Sequence, residues 1–113
     1  MTTVTATAEK GRYFIKCEGH AEGKDPAICT AISTLCCSLE LFCANVDGIK
    51  FEVLKEPGQF AIRFGGNPAC RAAFDFTIWA LMALQHDHVG YLKIDKIKDK
   101  DPFYDSYGRR PKK

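Results

Sequence analysis

No charge of one sign dominates these 113 residues: 16 lysines and arginines stand against 14 aspartates and glutamates, a formal net charge of +2. Most of that small excess lies in the last five residues, so the body of the chain offers no basic stripe of the kind that tracks nucleic acid. No apolar run reaches the roughly 18 residues of a membrane span, because Glu40, Asp75 and Gln85 interrupt the longest apolar stretches. Met1 to Glu9 lacks the basic start and apolar centre of a secretion signal. A cytoplasmic setting is therefore expected, in which thiols stay reduced. The chain has six cysteines, but no two are spaced as a Cys-x-x-Cys pair and there is no Cys/His knuckle. Neither a metal nor any other cofactor is expected.

With 46% apolar and 27% charged residues, the composition is that of an ordinary folded chain, and the length suits one domain. That domain is expected over 1–97, followed by a charged and mobile tail over 98–113. Thr2 to Glu9 alternates threonine with small apolar residues and predicts a strand; Lys10-Gly11 is a turn, and Tyr13 to Glu18 a second strand. Gly19 to Lys24 is a glycine-bracketed loop. Asp25-Pro26 predicts a helix start, with Asp25 as the capping acceptor and Pro26 at the first helical position. Ile28, Ile32, Leu35, Leu39, Phe42 and Cys43 continue it as a core-facing stripe to about Asn45.

Ile49 to Lys55 and Phe60 to Phe64 alternate around the turn Glu56-Pro57-Gly58-Gln59, a second hairpin with Ile49, Phe51 and Val53 on one side. Gly65-Gly66 lacks the lysine and serine of a phosphate loop and reads as a turn. Asn67 then caps a helix begun by Pro68 that carries Phe74, Ile78, Leu81 and Met82 to about His86. Tyr91 to Ile97 is a last strand. The order ββαββαβ predicts an α+β two-layer sandwich: a mostly antiparallel sheet of about five strands with two helices on one face.

The chemistry concentrates between residues 19 and 33. A thiol in the first turn of a helix meets backbone N–H groups without acceptors and a partial positive charge, both of which favour the thiolate. Cys29 stands at such a place. His20, in the loop before, can take or return its proton, and the same helix mouth supplies donors for an oxyanion. Set against this, a cysteine followed by apolar residues is usually core, and a histidine in a loop is usually solvated. Ser33, one turn after Cys29, is placed either to touch the site or simply to pack. His86-Asp87-His88 reads as the solvated end of the second helix, and Cys36-Cys37, adjacent on a helix, point apart and make a poor redox pair.

Gly19-His20-Ala21, then Asp25, then Cys29-Thr30-Ala31-Ile32-Ser33 resembles the Gly-His-Ala … Asp-x-x-Cys-x-Ala-x-Ser signature of the Prp family of bacterial cysteine proteases. The order of strands and helices is similar from about residue 2 to 97. The resemblance implies a Cys29–His20 catalytic dyad, supported by Gly19, Asp25 and Ser33, in a homodimer whose His–Cys loop closes on substrate. It also implies a protein substrate: the N-terminal extension of a bacterial large-subunit ribosomal protein or, for phage relatives, a capsid or scaffold protein. Asp25 precedes Cys29 by four residues where the family pattern has three, a shift of about 100° around the helix. Capping is therefore its first expected role. The rival reading is a non-catalytic ribosome-assembly or protein-binding module.

Overall fold

Threonine and small apolar residues alternate along Thr2–Glu9 (β1), and the alternation places Val4, Ala6 and Ala8 on one face with none of their surface exposed. The computed structural model describes residues 2–19, 26–88 and 90–99. After β1 come Arg12–Glu18 (β2), Pro26–Asn45 (α1), Lys50–Glu56 (β3), Gln59–Gly65 (β4), Ala69–Asp87 (α2) and Leu92–Asp99 (β5). They form one five-stranded sheet in the order β3-β4-β2-β1-β5. Every neighbouring pair is antiparallel except β1 with β5. This is the α+β two-layer arrangement expected from the sequence, with both helices on one side.

Register explains the core. Ala8 faces Tyr13, which faces Phe64; Ala6 faces Ile15, which faces Ile62; Val4 faces Cys17, which faces Phe60. Small residues on β1 beside large ones on β2 and β4 leave room for helix side chains to seat between strands. From α1 come Ile28, Ile32, Cys36, Leu39 and Cys43; from α2 come Cys70, Phe74, Ile78 and Leu81. Phe74 lies 5.2 Å from the Tyr13 ring, which is itself 5.5 Å from Phe64.

Four local expectations shift. Phe51 is exposed and Val53 only half-buried, because β3 is an edge strand beyond the reach of most of the helix layer. Met82 is exposed: the buried stripe runs through Leu81, and the next residue is turned about 100° away. Strand β5 continues to Asp99, two residues past its expected end, while 100–113 fall outside the described residues. Asp75, read as a polar interruption, is buried in an ion pair with Arg71 at 3.1 Å, one turn earlier on the same helix. Each charge offsets the other where neither could be buried alone.

Helix α1 holds another surprise. By length and composition alone, Ala27–Asn45 could cross a membrane, with mean hydropathy 1.8. The lone Glu40 breaks its apolar run without lowering the average enough to fail that test. Here Ile28, Ile32, Cys36, Leu39 and Cys43 pack against the sheet instead.

The entry to α2 follows from Asn67. Its side-chain oxygen accepts from the Ala69 N–H at 2.8 Å, and its amide donates to the Asp47 carbonyl at 2.9 Å. The same residue thus caps α2 and ties it to the turn after α1.

Candidate functional site

Helix α1 begins at Pro26, which puts Cys29 in its first turn, partly exposed. Its side chain opens into a cleft of about 320 Å³. One wall is α1 itself, through Cys29, Ile32, Ser33, Cys36 and Cys37. The opposite wall is the end of β2, with Cys17 and Gly19, and the β3–β4 turn, with Lys55, Glu56, Gly58, Gln59 and Phe60. The cleft therefore has an apolar floor of Ile32, Phe60 and buried thiols and a charged rim.

Gly19 is held in place by the hairpin: its N–H donates to the Gly58 carbonyl at 2.8 Å, at a φ of 99°. That conformation belongs to glycine, since a Cβ would strain it. The last described residue before His20 is thereby fixed across the cleft from the helix that carries Cys29. Of the expected site residues, Cys29, Gly19 and Ser33 come together around this one space; His20 and Asp25 lie outside the described residues. Ser33 is exposed on the cleft side of α1.

Two features of the site were not read from the sequence. Lys55 Nζ lies 2.6 Å from Glu40 Oε1, pinning the β3 rim to α1, and the Glu40 carboxylate raises the lysine pKa. The sequence holds them 15 positions apart in two different elements, so no local spacing announces the pair. The second is a contact between sulfurs. Cys36 donates its thiol hydrogen to Cys17 Sγ across 3.9 Å, between α1 and β2. This contact lowers the Cys17 pKa, while it and burial raise that of Cys36. Among the described residues, no group of three His, Cys, Asp or Glu side chains is placed to hold a metal ion. His86 turns instead to Asp87 at 3.1 Å on the exposed end of α2.

Fold and site together define a two-layer α+β protein with a thiol at a helix mouth, opening on a cleft that a hairpin turn borders. No family model matches the sequence, and no curated protein does. Solved structures do. The ribosomal processing protease Prp from S. aureus, in complex with a covalently linked product peptide, superposes with a TM-score of 0.74 at 15% identity, covering 85% of this chain and 99% of that one. The same S. aureus protease with a substrate peptide gives 0.68 at 11% identity, over 85% and 99%. SMU.848 from Streptococcus mutans gives 0.65 at 15% identity, over 87% and 95%. The chain has the fold of the Prp structures, in accord with the resemblance carried by its Gly-His-Ala and Cys-x-Ala-x-Ser residues.

Proposed function

We propose that this chain is a cysteine endopeptidase that removes the N-terminal extension of a bacterial large-subunit ribosomal protein or a segment of a phage capsid or scaffold protein. One observation carries the reading: Cys29 opens from the first turn of α1 into a cleft whose far wall is Gly19, the residue next to His20. Support also comes from the shared fold with an S. aureus protease that holds substrate and product peptides.

In this mechanism the Cys29 sulfur, its proton taken by His20, attacks the peptide carbonyl carbon. The oxyanion forms beside the backbone N–H groups of the first turn of α1, which have no acceptor within the helix. His20 returns the proton to the leaving amine, and water then hydrolyses the thioester. Apolar substrate side chains lie on Ile32 and Phe60. The active form is a homodimer.

The test compares wild type, Cys29→Ala and His20→Ala on a peptide spanning the ribosomal extension. Each variant is expected to lose about 10³-fold or more in kcat/KM. Undiminished cleavage by either refutes the dyad.

A further inference from the structure

We propose that Cys17 and Cys36 form an oxidisable dithiol on the floor of the cleft, which closes to a disulfide and clamps β2 onto α1. The two sulfurs are 3.9 Å apart on different elements, with 19 positions between them in sequence. A disulfide needs about 2.05 Å, so the two sulfurs have about 2 Å left to close across the interface between α1 and the sheet. Both residues are buried, at 4% and 5% exposure, yet both line the cleft. A small oxidant entering the site therefore reaches them.

Alternative partners are worse placed. Cys29 and Cys36 are separated by two turns of one helix, about 10 Å along the axis, too far for a bond. Cys37 is adjacent to Cys36, but adjacent helix residues point apart, and Cys37 is exposed where Cys36 is buried.

The contact also assigns roles. Cys36 donates to Cys17, which makes the Cys17 sulfur the better anion and the attacking group. With hydrogen peroxide as oxidant, the Cys17 thiolate forms an S–O bond as the O–O bond breaks, and the departing hydroxide takes a proton to become water. The Cys36 sulfur then attacks the sulfenic sulfur, losing its proton as the S–O bond breaks and a second water leaves. Two thiols and one peroxide become one disulfide and two waters; a dithiol reductant reverses the change.

The position ties this bond to the site. Cys17 lies two residues before Gly19, and Cys36 seven residues after Cys29, so the disulfide couples the strand that leads to His20 to the helix that bears the nucleophile. Loss of relative movement between them should slow cleavage, a consequence that rests on the protease reading above.

The experiment treats the folded full chain with hydrogen peroxide, blocks remaining thiols with iodoacetamide and maps the digest by mass spectrometry. The expected product is a Cys17 peptide linked to a Cys36 peptide, separated by dithiothreitol, in wild type and in Cys29→Ala alike. Recovery of Cys17 and Cys36 as alkylated thiols, or as separate sulfinic acids, while other cysteines are oxidised overturns the proposal. For the effect on cleavage, treated enzyme is given arsenite, which reduces sulfenic acids and spares disulfides. Peroxide-free enzyme given the same arsenite sets the reference rate, because arsenite also binds close pairs of reduced thiols. Wild type is expected to stay several-fold slow until dithiothreitol is added, whereas Cys17→Ala and Cys17→Ser recover with arsenite alone, each against its own reference rate. Full recovery of wild type with arsenite overturns the coupling. A chain that never cleaves refutes the protease reading alone, because the linked peptides still report on the dithiol.

Discussion

Cys29 and Cys37 stand on the same helix and border the same cleft, but Cys29 alone lies in the first turn, where backbone N–H groups lack intrahelical acceptors. Cys37 is the more exposed of the two, so exposure and helix position make opposite predictions about which reacts first. If the helix mouth activates the thiol, iodoacetamide at neutral pH modifies Cys29 ahead of all five others; equal or faster labelling of Cys37 would sink that account. Cys43 illustrates the reverse effect. Burial, with Cys70 and Glu40 adding to it, pushes its thiol from 9.0 up to about 11. The folded state thus holds this proton more tightly than the unfolded chain does. Its contribution to stability is complete below pH 9 and is lost as pH rises towards about 11. The urea midpoint should fall over that interval, and Cys43→Ala should flatten the fall. At this scale the sequence was legible where residues of one short stretch border a single cleft, as Gly19, Cys29 and Ser33 do. It was not legible for Cys17 with Cys36, whose meeting depends on how the helix layer settles on the strands.

Elements were legible where their signals are local. Alternation in β1 and β2, and the Asn67-Pro68 start of α2, announce themselves within a few residues. The burial of a charge does not: Asp75 looks like an interruption until Arg71 is seen one turn earlier on the same helix face. Nor does the reason for Gly65-Gly66. A Cβ on Gly66 would sit 2.6 Å from the Gly48 carbonyl oxygen, at a φ of 101°. The turn after α1 and the turn before α2 therefore touch backbone to backbone, beside the Asn67 bond to Asp47. Gly66→Ala must both strain its own backbone and push these turns apart. A loss of about 1–3 kcal/mol is expected from urea unfolding. A variant as stable as wild type would show that the contact is loose.

For the whole molecule, the sheet buries its helix-facing side well, and the outward side of the helix layer poses the remaining physical problem. Phe76 is 70% exposed, Trp79 47% and Met82 48%, spaced three apart on α2. Beside them a groove of about 700 Å³ runs between the helices over Leu35, Phe42 and Ala73. Among the described residues, the one charged residue lining it, Asp75, is already paired with Arg71. A broad uncharged surface with protruding aromatics costs solvation free energy in a monomer, and monomers rarely leave one open. The proposed homodimer would cover it if the aromatic side chains of each copy entered the groove of the other, the reciprocal contact of a two-fold interface. Sedimentation should then find a dimer for wild type and a monomer for Phe76→Asp, with helix content unchanged by circular dichroism. The side chain at 76 lies outside the core, so the variant is expected to fold. A wild type that sediments as a monomer, or a Phe76→Asp variant that remains dimeric, would remove the helix face as the interface and leave the exposed aromatics to another partner.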